Sequence, residues 1–371
     1  MYLSYWEYKT WFKNVDFTVV GSGIVGLNCA LKLREKFPKS KIIVLEKGFL
    51  PAGASTKNAG FACFGSMSEI LEDLKNHSEE EVLSLIKKRY EGLQQLRNLL
   101  GDISIGYKNF GGHEIFLKEN PSLYHEVFQA LDRVNRMLLP FFKKQVFDIK
   151  KDTFGFKGIY PEVVFNSFES QIDTGKMMQA LLQKAIKKNI VVLNGITVKS
   201  FQESSGQVQI QIQDDIVFST KSLYIAINGF SSTLVNEDIK PARAQVLITK
   251  PIKNLKIKGT FHFDSGYYYF RNIDNRILFG GGRNLDFKAE ETAEINLTSL
   301  VQNKLEDILK STILPETPFV IDQRWSGIMG VGKNKTPILK ALSDRVFCGI
   351  RLSGMGVAIG TQVGRSLGDF E

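Results

Sequence analysis

The first regular pattern along the chain is a short apolar run, Asp16 to Val20, followed by glycines and an apolar stripe at helical spacing from Leu27 to Phe37. A second apolar run, Lys41 to Leu45, follows Pro38 and Ser40, which mark a turn. Short apolar runs bounded by turn residues read as buried strands, and a strand–helix–strand opening implies a parallel sheet. From Ser66 to Leu100 the period becomes helical: Ser66 with Glu69 and Ser78 with Glu81 have capping-box spacing, and Gly101 closes the second helix. Further helices are predicted over Ser122–Lys144 and Thr174–Lys188, a strand near Val191, and alternating strands between Thr197 and Ile212. Strand patterns return at Ala244–Thr249, Tyr267–Arg271 and Arg276–Gly280. The chain closes with a strand at Val346–Gly349, a glycine turn and a helix ending near Leu367.

Composition narrows the class. The 371 residues are 43% hydrophobic and 23% charged, the balance of a soluble globular protein. The apolar runs are strand-length, so no membrane span is expected, and Glu7, Lys9 and Lys13 argue against a secretory signal. Cys29, Cys63 and Cys348 have no paired or metal-like spacing and the histidines are scattered, which predicts a reducing, cytoplasmic setting and no metal. A net charge of +9 allows anionic partners, but the lysines are dispersed, so solvated faces are favoured over a nucleic-acid interface.

Gly21-Ser22-Gly23-Ile24-Val25-Gly26 sits between the first strand and the first helix. The first glycine permits a tight turn, the second lets the backbone approach a pyrophosphate, and the third allows close helix–sheet packing. The amides of the helix N-terminus then meet the phosphates. Glu46 ends the second strand, where a carboxylate accepts hydrogen bonds from both ribose hydroxyls. This context predicts dinucleotide binding without separating FAD from NAD. The following run, Gly53-Ala54-Ser55-Thr56-Lys57-Asn58-Ala59-Gly60, combines small residues with the donors Ser55, Thr56 and Asn58, which suits a loop passing close to a large flat cofactor. By itself such a run reads as a surface loop.

With these segments the sequence resembles the D-amino-acid-oxidase-like family of FAD-dependent oxidoreductases, which includes glycine and sarcosine oxidases and γ-glutamylputrescine oxidase. Four anchors carry the resemblance over most of the chain: the fingerprint with Glu46; GASTKNAG; the run from Asp173 to Gly229; and Arg324-Trp325-Ser326-Gly327 with Pro337 and Ser353-Gly354-Met355-Gly356. The Ser4-Tyr5-Trp6 lead-in is also similar to γ-glutamylputrescine-oxidase-like members. The resemblance implies an α/β fold with an α+β second domain. A Rossmann-like FAD-binding domain would span 15–65, 150–235 and 323–371. A discontinuous substrate domain, built on a mixed or antiparallel sheet plus helices, would span 66–149 and 236–322. It implies non-covalent FAD, since no cysteine lies near Pro337. The cofactor would be held by Gly21, Ser22, Gly23, Ile24, Val25, Gly26, Glu46 and Lys47, and by Ala54, Ser55, Thr56, Asn58, Ala59 and Gly60. Val198 and Ala226 would line the adenine side, Gly229 would also contact the cofactor, and Ser353, Gly354, Met355, Gly356 and Val357 would serve the flavin pyrimidine end.

The activity implied is oxidation of a C–N bond in a small amine or amino acid, by hydride transfer to flavin N5 and hydrolysis of the resulting imine. Positioning and exclusion of water supply most of the effect in such chemistry. Two departures bear on the substrate and the acceptor. Glycine-oxidase-like members clamp a substrate carboxylate with an arginine where this chain has Met329, which favours an amine without an α-carboxylate. Sarcosine-oxidase-like members place a lysine near the flavin where this chain has Leu278, leaving O2 or a carrier as acceptor. Candidates for the substrate pocket are Phe61, His262, Tyr267, Tyr268, Tyr269, Arg271, Met329 and Arg351; none is assigned a catalytic role. In a strand Tyr268 points opposite to Tyr267 and Tyr269, and either face is a candidate. Arg271 is placed either to bind a distal carboxylate or to pair structurally, with the structural pairing as the expectation, and a satisfied structural role is expected for His262. The alternatives are an FAD-dependent 2-hydroxy-acid dehydrogenase using His262 and Arg271, a tRNA-modification flavoprotein, and a protein that binds FAD without turnover.

Overall fold

The computed structural model describes residues 3–370. Two large sheets organise them. In the first, the order is Ile338–Ala341, Val346–Ile350, Val217–Ile225, Val15–Val20, Ile42–Glu46, Val191–Asn194, with Val198–Ser204 and Gln207–Ile212 forming an antiparallel flap on Val217–Ile225. The pairings from Val346–Ile350 through Val191–Asn194 are parallel, because helices Ile24–Lys36 and Thr174–Lys187 and long crossovers separate strands in sequence. The central strands of this sheet are covered on both faces: Val15–Val20 buries every residue but Asp16, and Ile42–Glu46 buries all of its residues.

The second sheet also has eight strands, ordered Ile321–Val331, Lys240–Thr249, Arg276–Gly281, Tyr268–Ile273, Thr260–Phe263, Gly112–Glu114, Glu162–Asn166, Phe147–Lys151. It is antiparallel apart from the pairing of Thr260–Phe263 with Gly112–Glu114. Helix Ser299–Ile308 packs on one face of it. Helices Met67–Asn76, Glu79–Leu100 and Pro121–Phe142 enclose a further core with Phe147 and Val164 at its far end. Both capping boxes form: Ser66 and Ser78 accept from the amides of Glu69 and Glu81, whose carboxylates bond back to the serine amides.

Sheet membership differs from the expected boundaries. Phe147–Lys151 and Glu162–Asn166 belong to the second sheet, whereas the expected boundary at 150 assigns most of that segment to the nucleotide-binding part. Ile321–Val331 does too, paired along its length with Lys240–Thr249. Its alternating pattern marks a strand but carries no information about its partner, which lies some 80 residues away in sequence.

Candidate active site

The fingerprint lies at the C-terminal edge of the parallel strands, between Ile42–Glu46 and Val217–Ile225. Gly21 has φ +102°, and a Cβ there would meet the Ala226 carbonyl oxygen at 2.7 Å. A Cβ on Gly26 would stand 1.9 Å from the Gly21 oxygen, so only glycine lets the helix come this close to the turn. The Glu46 carboxylate is buried and accepts from the Ser22 hydroxyl (2.7 Å), the Ser22 amide (3.1 Å) and the Gly48 amide (2.9 Å). These bonds fix it beside the fingerprint. In the loop after the second strand, Ser55 Oγ accepts from the Ile24 amide at 3.0 Å and so reaches the helix N-terminus. Thr56 and Asn58 do not. The Thr56 hydroxyl donates to the Pro51 carbonyl, and the Asn58 amide donates to Ala54 and Ser55 carbonyls, so both shape the loop itself. Lys47 is exposed. Val198 begins the flap strand, just after Ile196 donates to the Glu46 carbonyl. Gly229 lies against the Met329 backbone. At the other end, Ser353 and Gly354 adopt left-handed backbone (φ 46° and 81°), Met355 caps, and helix Gly356–Leu367 begins. Ser353 Oγ is buried without a hydrogen-bond partner among the described residues, as expected of a group that meets a cofactor oxygen at a helix N-terminus.

The second sheet turns one face to this loop. In register across it run Val246, Gly280, Tyr269, His262 and Glu114, and beside them Ile248, Leu278, Arg271, Thr260 and Gly112. Ala59 packs on Val246 and Leu278. The Phe61 ring meets His262 and Tyr269 edge-on, at 5.0 and 5.6 Å between centroids. The Trp325 indole donates to the Lys57 carbonyl at 2.9 Å, and Met329 approaches Gly354 through its sulfur. Phe61, His262, Tyr269, Arg271 and Met329 are therefore on the loop side. Tyr267 and Tyr268 are not: Tyr268 lies in the apolar core on the opposite face with Phe261, Phe263, Phe270 and Phe279, and Tyr267 packs on that core and on Phe287. Arg351 is also removed from the pocket. Its guanidinium donates to Asp238 Oδ2 (3.0 Å), Asn334 Oδ1 (2.8 Å) and the Thr336 carbonyl, which makes it a structural tie.

Residues 16–369 match the family described as FAD dependent oxidoreductase. The chain belongs to that family. Its cofactor is FAD, and the fingerprint, the Glu46 carboxylate and the Ser353 turn fit that group. Among relatives, the probable oxidoreductase OrdL of Haemophilus influenzae is 22% identical over 96% of this chain and 82% of its own length. Glycine oxidase from Bacillus cereus superposes with a TM-score of 0.78 at 13% identity, covering 96% of this chain and 94% of that one. L-Proline dehydrogenase from P. horikoshii gives 0.72 at 15% identity, covering 96% and 92%.

One part of this FAD-dependent oxidoreductase was invisible in the sequence. Behind His262 lies a buried polar cluster: Glu169 accepts from Thr260 Oγ1 (2.7 Å) and lies 2.5 Å from His262 Nε2, while the Ser68 hydroxyl donates to Glu114. Burial by itself disfavours the imidazolium, but Glu169, with Glu69 and Glu114 behind it, outweighs burial and holds His262 up at about 9. Burial lifts Glu114 to about 7 against the Ser68 hydroxyl and amide. Cys63 adds a thiol whose sulfur lies within 4.8 Å of the Glu169 and His262 ligand atoms. Burial and then Glu169 and Glu69 keep that thiol protonated. Strand Phe61–Ala62 pairs with Ser170–Gln171 and so carries Cys63 beside Glu169. No local spacing encodes that meeting.

Proposed function

We propose that the chain oxidises a C–N bond of a small amine or amino acid, with the imine product hydrolysed by water. Bound FAD supplies a hydride acceptor at N5. The observation that supports the reading best is the character of the wall facing the loop: Phe61, Tyr269, Trp325 and Met329, with Ala59 and Leu278, form an apolar and aromatic surface. Such a wall orients a neutral amine and excludes water, and amine oxidation asks for little more. Burial raises the Tyr269 phenol to about 12, so it stays a neutral hydroxyl. The glycine oxidase and proline dehydrogenase that share the fold are, by their names, enzymes of amino acids.

Oxidation of a 2-hydroxy acid is disfavoured by His262. A base for an alcohol proton must be unprotonated, and here the Glu169 carboxylate against Nε2 holds the imidazole toward its protonated form. The acceptor after flavin reduction is O2 or a carrier. The test is anaerobic mixing of the purified holoprotein with amines, N-methyl amino acids, amino acids and hydroxy acids, while following the flavin band near ~450 nm. Bleaching by a member of the first three classes is expected, and non-covalent attachment predicts that flavin is recovered in the supernatant after acid precipitation. Bleaching by hydroxy acids alone would overturn the reading.

A further inference from the structure

We infer that Arg271 is the receptor for a carboxylate, so that the substrate is an amino acid or another carboxylated amine rather than a plain amine. This rests on the amine-oxidation reading above. Arg271 lies on the strand Tyr268–Ile273, between Thr260 and Leu278 on the sheet face that looks at the loop. It is 2% exposed, yet among the described residues its guanidinium makes no hydrogen bond and no ion pair, and Nε is buried without a partner. The other buried arginines differ: Arg243 is bidentate to Glu290, Arg89 donates to the Phe64 carbonyl, and Arg351 is tied to Asp238. Asp173 and Asp274 are near enough to act on Arg271 through space, and neither bonds to it.

A guanidinium taken out of water without a partner is costly, and a chain tolerates it where an anion arrives from outside. Arginine's planar fork matches a carboxylate with two parallel N–H bonds. The position is also built for close approach. A Cβ at Gly60 would stand 2.8 Å from Arg271 Nη2, and Gly60 has φ +73°, so the loop passes directly over the guanidinium. Tyr269, Phe61 and Trp325 then wall the same opening with apolar surface. The clamp lost at Met329 is thus replaced by a cation on another strand, and the departure at Met329 does not imply a substrate without a carboxylate.

The test uses the FAD-loaded protein at constant ionic strength, with acetate and its neutral isostere acetamide as probes and the flavin visible spectrum as readout. Saturable acetate binding is expected, with acetamide weaker by on the order of 10- to 100-fold, and with Arg271→Met weakening acetate to a similar extent. Arg271→Lys should recover part of the loss. Arg271→Met should melt no lower than the parent without ligand, because it removes an unpaired buried charge, whereas a structural arginine would lower the midpoint. Equal acetate binding in parent and Arg271→Met overturns the inference. So does a shifted flavin reduction potential in that variant with acetate binding intact, which would assign the cation to the flavin. Plain amines that reduce the flavin as efficiently as amino acids, in parent and variant alike, would leave amine oxidation standing and remove the carboxylate site. Acetate bound through Arg271, with no amine or amino acid reducing the flavin, would do the reverse.

Discussion

At the scale of single residues, the His262–Glu169 pair makes a pH-dependent claim. An unfolded histidine loses its proton near 6.5, and this one keeps it to about 9. Its contribution to stability is therefore complete below 6.5 and disappears as pH rises through 9. Glu114, raised from 4.5 to about 7, acts in the same direction: it contributes below 4.5 and ceases to contribute as pH rises through 7. Urea unfolding should accordingly show stability falling between pH 6.5 and 9, by on the order of 2–3 kcal/mol from His262. Glu169→Gln removes the counter-charge bonded to the imidazole, so it should flatten that fall and lower stability at pH 6. A parent and a variant with the same slope across the window would show that the pair carries no such linkage.

At the scale of elements, the helix Ile24–Lys36 depends on one missing methyl. A Gly26→Ala side chain would strike the Gly21 carbonyl and push the helix away from the fingerprint turn proposed to hold the cofactor. The expected cost is about 1–3 kcal/mol of stability, read as a lower urea midpoint at unchanged m-value, together with weaker FAD retention on gel filtration. Retention equal to the parent would mean that the turn tolerates the displacement. The same helix explains what was legible in the sequence. Its glycines, its flanking strands and the capping boxes at Ser66 and Ser78 act within a few residues, so the chain displays them directly. Pairings across long separations are not displayed. Ile321–Val331 reads as a strand, but nothing in it selects Lys240–Thr249; Arg351 reads as a pocket cation until Asp238, 113 residues away, is placed beside it. Tyr267, Tyr268 and Tyr269 show the intermediate case. Alternation separates Tyr268 from Tyr269, and only the cores on either side decide which of them faces the loop.

At the scale of the whole molecule, the loop Ala54–Gly60 and the segment that follows it join the two sheets. Trp325 donates to the Lys57 carbonyl, Arg271 stands over Gly60, and Gln171 donates to the Asn272 carbonyl, each tying the second sheet to the loop or to the segment that precedes helix Thr174–Lys187 of the first. FAD held by the fingerprint and the Ser353 turn would lie along this junction, so its binding energy should stabilise both sheets together. A ligand at ~100 times its Kd adds about 2.7 kcal/mol. With an unfolding entropy of ~2.1 cal/mol/K per residue, that raises Tm by about 3–4 °C for a chain of this length. Far-UV dichroism and flavin-fluorescence release should therefore report one coincident transition in the holoprotein, displaced downward when FAD is stripped and restored when it is added back. Trp325→Phe keeps an aromatic side chain of smaller size and deletes the bond to Lys57; it should narrow the gap between holo and apo midpoints, because part of what FAD binding secures passes through that loop. Flavin release well below the loss of secondary structure, unchanged by Trp325→Phe, would show instead that the cofactor is held by the first sheet alone and that the loop does not couple the two.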